Sequence, residues 1–406
     1  MLYIDINAVF VISDGIVNSS HMFIKFVAMN IKLSFLFKYD SLSLILLVCI
    51  NAVPTKWYVS QRSHGKDVPY CGTVLSFPCR TIRFTVNKAN SGDTIYIDES
   101  NGKPYEECIK YPNAIQLQKS LSFICPNRMA EVHCHSKYST IFKIPYDVCE
   151  NKIISFISIK FTSANLALRT LCHNTRILIR RCLFQGNNIA IHMKNQGKCH
   201  LQVDDSTFIY NKEYGIYGIC ANVMVHLSNI IFRSSPVSLS DGNDLQGSRK
   251  LDQQFQVSIE SSYFYGNISC NHQNQIVEES LFLAIKCVKA SILNISVVAS
   301  TFASSKGNIK YETSNPGPIS VQFLTNRPDV IATIYFNQVI VKNISTKLRN
   351  ALFLSLPSRT GIGSTITILN CQFFHNTRAL GIFIKTTLRD YLGILKGEHF
   401  YKEHDV

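Results

Sequence analysis

One hydrophobic pattern recurs along the chain and constrains its fold more than any other feature. Seven anchor residues are phenylalanines with apolar residues seven and five positions before them and usually asparagine or serine three positions after them. The eighth, Ile340, fits more loosely, with Tyr335 five positions before it and Asn343 three positions after it. The anchors are Phe161, Phe184, Phe208, Phe232, Phe264, Phe302, Ile340 and Phe373. The intervals between them are 23, 24, 24, 32, 38, 38 and 33 residues. Self-similarity of this kind, with longer loops inserted in some copies, indicates a stacked-repeat protein.

Each anchor is followed by a second alternating run, such as "NIAIHM" after Phe184 and "YGIYGI" after Phe208. Alternation of apolar and polar residues predicts strands, and no repeat contains a segment of helix length. A unit of about 23 residues cannot bury its apolar face alone, so it must stack on its neighbours. The sequence therefore predicts an all-β fold, a parallel β-helix in which each strand pairs with its equivalents one turn above and below. An ordinary sandwich gives no reason for one pattern to recur eight times.

The positions just before each anchor predict sharp corners. The residue three before the anchor is often Asp or Asn, as at Asp205, Asn229, Asn337 and Asn370. The residue two before it is small or a thiol at Cys182, Ser206, Ser262, Ser300 and Cys371. Asp and Asn tolerate the left-handed backbone that a tight corner requires.

Two adjacent arginines precede Phe184, and two adjacent aspartates occupy the same positions one repeat later. Stacked turns bring equivalent positions within about 5 Å of each other. We therefore expect cross-turn ion pairs, Arg180 with Asp204 and Arg181 with Asp205, at an exposed corner.

The segment "CGTVLSFPCRTIRFTVNKANSGDTIYID", residues 71–98, resembles the start of extracellular right-handed parallel β-helix proteins of the pectin-lyase-like type. Ile82, Val86 and Ala89 lie at helical spacing, and Gly92-Asp93 turns the chain into the strand "TIYI". With the repeats, the resemblance covers about residues 71–386. It implies a right-handed solenoid with a short N-terminal capping helix. Within this family, the chain resembles the extracellular non-catalytic members. It says little about activity, because lyases, hydrolases and non-catalytic surface proteins share this fold.

The chain is predicted to have four parts. Residues 1–52 form an upstream segment and a signal peptide or signal anchor, because the apolar run 41–50 follows two lysines and precedes Ala52. Residues 53–152 form the cysteine-rich N-terminal cap and first turns, and residues 153–386 form the regular repeats. Residues 387–406 form a C-terminal cap or a truncated end.

Thirteen of the fourteen cysteines follow Ala52, which favours an oxidising, extracellular location. Cys71 and Cys79 are expected to form a local bridge. The other disulfide candidates are Cys108, Cys125, Cys134 and Cys149, whose connectivity the spacing does not fix. No pair has the C-x-x-C spacing of a zinc site, so neither a metal nor another cofactor is expected.

Three Asn-Ile-Ser sequons are glycosylation candidates: Asn267, Asn294 and Asn343. Asn294 precedes the inward Ile295 and is expected to face solvent. The other two occupy the recurring corner position and are expected to be tied into a stack.

The residues that could carry chemistry do not form a familiar active site. Asp204-Asp205 is the best acidic pair, but neighbouring corner residues point apart, whereas glycoside hydrolysis needs facing carboxylates. His133 and His135 share a strand face beside Cys134. The strand after the anchor asparagine bears His192, Lys194, Tyr217, Ser238 and Lys286, with almost no acid. No catalytic residue is therefore assigned.

The formal charge of +14 favours a polyanionic partner. We expect a secreted or cell-surface, non-catalytic β-helix that binds an extracellular glycan, matrix or protein ligand, with anionic ligands favoured and no nucleic acid. A membrane is a partner only if the N-terminal segment is an uncleaved anchor. The alternatives are a lyase or hydrolase acting on acidic polysaccharide and a purely structural surface protein.

Overall fold

The computed structural model describes residues 21–28, 31–38, 47–52, 54–62, 64–99, 103–107, 114–134, 139–146, 151–171, 174–241, 254–265, 282–287, 290–303, 319–323, 330–343, 350–355, 364–374 and 380–385. The chain divides into two compact units, Met1–Thr55 and Lys56–Val406. The predicted C-terminal part, 387–406, lies outside the described residues. Within them, no helix has both the length and the apolar character needed to cross a membrane.

The first unit contains a three-stranded antiparallel sheet. Its strands are β1 (His21–Ala28), β2 (Ile31–Lys38) and β3 (Leu47–Ala52). The central strand β2 pairs with both neighbours.

The second unit is a parallel β-helix with three strands in a complete turn, so equivalent strands form three ladders. The first ladder contains β4 (Lys56–Val59), β5 (Thr94–Ile97), β8 (Leu121–Ile124), β11 (Ile153–Ile157), β14 (Thr175–Arg180), the second halves of β16 (Ile189–Asp204) and β18 (Tyr214–Ser228), β21 (Gln254–Glu260), β24 (Ile292–Val298), β27 (Ile331–Asn337) and β30 (Thr365–Leu369). It holds the apolar pair that precedes each anchor.

The second ladder is a ten-stranded parallel sheet built on the anchors. It contains β6 (Tyr105–Glu106), β9 (Ala130–His133), β12 (Ile159–Thr162), β15 (Leu183–Gln185), β17 (Thr207–Ile209), β19 (Ile231–Arg233), β22 (Tyr263–Tyr265), β25 (Thr301–Ala303), β28 (Ile340–Lys342) and β31 (Gln372–Phe374).

The third ladder follows the second after a short corner. It contains β7 (Ile115–Gln116), β10 (Thr140–Ile144), β13 (Leu166–Thr170), the first halves of β16 and β18, β20 (Val237–Ser240), β23 (Leu283–Cys287), β26 (Ile319–Phe323), β29 (Asn350–Ser355) and β32 (Leu380–Lys385). Strands β16 and β18 run without interruption from the third ladder into the first.

The predicted anchors stack in register along the core. Six phenylalanines lie on consecutive turns with ring centroids 4.5–4.8 Å apart and nearly parallel planes: Phe161, Phe184, Phe208, Phe232, Phe264 and Phe302. Each is at most 1% exposed. The next anchor was predicted at Ile340, and this is wrong by one residue, because Val341 pairs with both Phe302 and Phe373. Ile340 instead lies beside it, half-buried.

The corner before each anchor strand is a single left-handed residue. These residues have φ between 47° and 57° and are Ser158, Arg181, Asp205, Asn229, Ser261, Ala299, Gln338 and Asn370. Gln338 occupies the place predicted for Asn337, as the corrected anchor requires. Aspartate and asparagine are thus only two of several residue types that this corner accepts.

A ladder of buried amides closes the corner after the anchor strand. Asn187 Nδ2 donates to Phe161 O (3.1 Å) and to Asn211 Oδ1 (3.0 Å), and Asn211 Nδ2 donates to Phe184 O (3.1 Å) and to Ser235 Oγ (3.0 Å). Both asparagines are fully buried. The recurring asparagine therefore satisfies backbone groups that the turn leaves without a strand partner.

The helix predicted from the sequence is α1 (Ile82–Lys88), which packs against β4 and β5, the first two strands of the first ladder. Thr81 caps it, accepting a hydrogen bond from Phe84 N. The buried Glu107 accepts from Ile82 N (2.6 Å) and Arg83 N (3.2 Å), which satisfies two amides of the first turn. Burial raises the pKa of Glu107, and these two backbone bonds oppose that shift.

Candidate functional site

Arg180 and Asp204 lie in register on adjacent strands β14 and β16, as the repeat requires. The predicted ion pairs are nevertheless wrong in their partners. Arg180 Nε lies 3.8 Å from Asp205 Oδ2, and both side chains are well exposed. Among the described residues, no ion pair joins Arg180 to Asp204 or Arg181 to Asp205. The reason is the corner: Arg181 and Asp205 have left-handed backbones, which turn their side chains away from the direction that strand residues take.

The two aspartates also have other partners. Asp204 Oδ2 accepts from Gln202 Nε2 (2.9 Å), and Asp205 Oδ1 accepts from Asn229 Nδ2 (2.8 Å). They belong to a surface hydrogen-bonded network along one corner. Nothing here resembles two carboxylates facing each other across a substrate.

The outward side of the third ladder carries a different arrangement. Lys143, Arg169, His192, Tyr217 and Ser238 occupy one register position on successive turns. The first four are partly exposed, whereas Ser238 is 5% exposed, so the accessible part of this row spans four turns. We call these four residues, Lys143, Arg169, His192 and Tyr217, the cationic row.

A second outward position runs alongside the cationic row. It aligns Lys194, Ile219, Ser240 and Lys286 on successive turns. Neither position carries an aspartate or glutamate in the turns that the structure describes. The two positions therefore carry an excess of positively charged side chains over the described turns.

Arg169 and His192 form the centre of the cationic row. Arg169 Nε and His192 Nδ1 are both buried and have no hydrogen-bond partner. The imidazole lies 5.4 Å from the Tyr217 ring, centroid to centroid. Burial, with the positive charges of Arg169 and Lys194 nearby, lowers the pKa of His192 to about 4. At neutral pH the row thus combines two cations with a neutral imidazole.

This arrangement suits anion binding better than proton transfer. Burying a polar atom without a hydrogen-bond partner destabilises the protein, and a hydrogen bond to an oxygen of a bound anion would offset that cost. A carboxylate or sulfate at Arg169 would also favour the protonated imidazole and so raise the pKa of His192. The sequence identified His192, Lys194 and Tyr217, but it did not single out Arg169 or Lys143, which the strand register reveals.

A disulfide joins Cys71 to Cys79, the pair predicted from spacing, and a second joins Cys199 to Cys220. The second pair was not predicted. It connects neighbouring turns where β16 and β18 pass from the third ladder to the first, beside a register shift. Its separation of 21 residues, close to the repeat length, was the signal in the sequence.

Of the other candidates, Cys134 is disulfide-bonded, and Cys108 and Cys149 lie outside the described residues. The prediction for Cys125 is wrong: it is a free thiol, 2% exposed. It follows β8 and donates its backbone N–H to Ile157 O, so it is held in the wall of the coil. Burial raises its pKa.

The histidine pair of the sequence is only partly described. His133 Nδ1 lies 2.8 Å from Thr162 Oγ1, and His135 lies outside the described residues. Asp67, Cys71 and Cys79 are close enough together to suggest metal ligands. The two sulfurs are joined in a disulfide, however, and a disulfide is not a thiolate ligand.

Two of the three sequons can be located. Asn294 is exposed in the middle of β24, as expected. Asn343 was expected to be tied into the amide stack, and this is wrong. It lies two residues after the true anchor Val341, with φ 57°, and it is exposed. Asn267 lies outside the described residues.

Comparisons with known proteins add little to this geometry. No protein-family model and no curated protein matches the sequence. Among solved structures, the chain is similar to the crystal structure of pectate lyase Pel9A, with a TM-score of 0.38 and 12% identity over 82% of this chain and 79% of that chain. The assignment of the fold therefore rests on the strand pairing.

Proposed function

We propose that the protein is a secreted, non-catalytic β-helix that binds acidic carbohydrate on the outward face of its third ladder. The observation that carries the proposal is Arg169, a half-buried arginine whose Nε has no partner, at the centre of a row with no acid in the described turns. An arginine in this setting gains most from a planar carboxylate or a sulfate.

The spacing of the turns supports an extended ligand. Neighbouring strands lie about 4.8 Å apart, so four accessible turns present a strip about 14 Å long. Lys143 and Arg169 lie on adjacent turns, and Lys194 lies beside His192 on the same strand. A linear polyanion that lies across the strands would contact these positive charges one after another along its length.

The disulfides support the extracellular location. Two bonds among the described cysteines, and the bonded Cys134, are typical of proteins that mature in an oxidising compartment.

The test is a titration of the full chain with polygalacturonate, followed by calorimetry. We expect saturable binding, no binding of neutral dextran, and an increase in Kd of about tenfold or more for Arg169→Gln, because a charged hydrogen bond is lost. Arg176→Gln is the matched control. It removes the same charge from an exposed position on the first ladder, where its contact is one 3.3 Å bond to Gln202.

The same mixtures separate this proposal from its alternatives. A lyase would release unsaturated product, and turnover abolished by Asp204→Asn would replace the binding proposal with a catalytic one. A purely structural protein would show no saturable binding to any acidic polysaccharide.

A further inference from the structure

The loop at residues 70–77 exposes an unusual amount of apolar surface. Leu75 is 72% exposed, Tyr70 is 71% exposed and Val74 is 52% exposed. The first two are the most exposed large hydrophobic side chains in the described part of the chain. Single exposed apolar residues are ordinary, but three within six positions indicate a contact surface.

The 70–77 loop is held in one conformation. The Cys71–Cys79 disulfide closes its base, Gly72 N donates to Phe77 O (2.8 Å), and Phe77 N donates to Val74 O (3.2 Å). The Tyr70 and Phe77 rings stack at 5.4 Å. Because these contacts fix the backbone, the loop cannot fold its apolar tip back onto the protein. The tip is therefore already ordered in the free protein, so binding a partner costs little further conformational entropy.

Basic residues lie at the base of the loop. Lys66 N donates to Pro78 O (3.2 Å), and Arg80 follows the disulfide, so both exposed side chains lie next to the loop. The nearby acid is Asp67, whose carboxylate accepts bonds from Arg80 N (2.8 Å), Thr81 N (3.0 Å) and Thr81 Oγ1 (2.9 Å). That carboxylate is committed to the start of α1, and the local charge stays positive.

We infer that the 70–77 loop inserts into the surface of an anionic lipid bilayer. An anionic bilayer has a negatively charged headgroup layer over an apolar interior. The exposed apolar side chains of the loop match the interior, and Lys66 and Arg80 at its base match the headgroups. The 70–77 loop shares no residue with the cationic row on the third ladder. One small tip gives weak, reversible binding.

The test is co-sedimentation of the full chain with vesicles of phosphatidylcholine alone and of phosphatidylcholine mixed with phosphatidylserine. We expect binding to the mixed vesicles only. Leu75→Ser should lower the partition coefficient roughly tenfold, because its exposed apolar surface no longer enters the bilayer. Lys66→Gln with Arg80→Gln should lower it about tenfold and weaken its salt dependence.

Ile153→Ser is the matched control, since Ile153 is 48% exposed on β11. It should bind like the unmodified protein. Equal binding by Leu75→Ser would overturn the inference, because another part of the chain would then hold the membrane. Absence of binding to mixed vesicles would overturn it too, and self-association lost in Leu75→Ser would assign the loop to a second copy instead. Acidic-polysaccharide binding by the same variants should be unchanged, which separates this test from that of the proposed function.

Discussion

Replacing Asn211 by leucine tests whether the buried amide ladder holds the turns in register. Leucine has the same branched arrangement of side-chain heavy atoms as asparagine but a larger volume, so the change leaves no cavity, and the control Asn188→Leu adds the same volume. It removes the acceptor for Asn187 N (3.2 Å) and Asn187 Nδ2 (3.0 Å), and it removes the donor to Phe184 O and Ser235 Oγ. All these groups lie at positions that water does not reach.

The magnitude follows from the groups left without a partner. An unsatisfied buried donor or acceptor costs about 1–3 kcal/mol. Asn187 Nδ2 keeps its bond to Phe161 O, so the main losses are at Asn187 N and at the groups that Asn211 Nδ2 served. We expect the free energy of unfolding to fall by about 3 kcal/mol.

The assay is urea unfolding of the full chain, followed by circular dichroism and Trp57 fluorescence. Asn188→Leu is the control, because the half-buried Asn188 side chain makes one bond, to Asn165 Oδ1 at 3.2 Å. It should lose less than about 1 kcal/mol. An Asn211→Leu variant no less stable than Asn188→Leu would refute the role assigned to the ladder.

Four further predictions concern other parts of the molecule. Phe208→Ala should lower the free energy of unfolding by about 3–5 kcal/mol, and Phe373→Ala should lower it by less, because Phe373 is only half-buried where it pairs with Val341; calorimetric unfolding compares them. Replacing Cys71 and Cys79 by serine should cost about 2–3 kcal/mol and make the 70–77 loop a site of limited proteolysis, and a loop that stays resistant would contradict its assigned rigidity. The pKa of His192 is lowered to about 4 from 6.5, so the unfolded chain binds a proton between these pH values that the folded chain does not. Stability should therefore fall as pH drops from 6.5 to 4, by up to about 3 kcal/mol, and His192→Gln should remove this part of the slope in denaturation series at each pH. In protein secreted from eukaryotic cells, peptide mapping should find glycan at Asn294, and an unmodified Asn294 would contradict the orientation of β24.

Most of the fold was readable from the sequence because stacked turns put the same residue type at the same place. Six phenylalanines of similar size must lie over one another, and the asparagines must follow at a fixed distance. The prediction of the anchor positions failed where the anchor is not phenylalanine. Val341 is not aromatic, and its neighbour Ile340 fits the pattern almost as well, so the choice between them needed the backbone pairing.

The candidate site was less readable. Alternation shows that His192 and Lys194 share a face, but Arg169 lies 23 residues before His192 and becomes its neighbour only through the register of β13 and β16. Corner side chains were harder still. Arg180 pairs with Asp205 because the left-handed backbone of Asp205 redirects the aspartate side chain. Sequence spacing does not predict this change of direction.

The most direct test of the proposed function is the salt dependence of polygalacturonate binding by the full chain and by Arg169→Gln. Counterion release makes log Kd rise linearly with log salt, and each removed cation that contacts the polyanion reduces the slope by up to about one. We predict a steep slope for the unmodified protein, a shallower one for Arg169→Gln and an unchanged one for Arg176→Gln. Binding that is insensitive to salt, or a slope that Arg169→Gln leaves unchanged, would show that acidic carbohydrate does not bind at the cationic row.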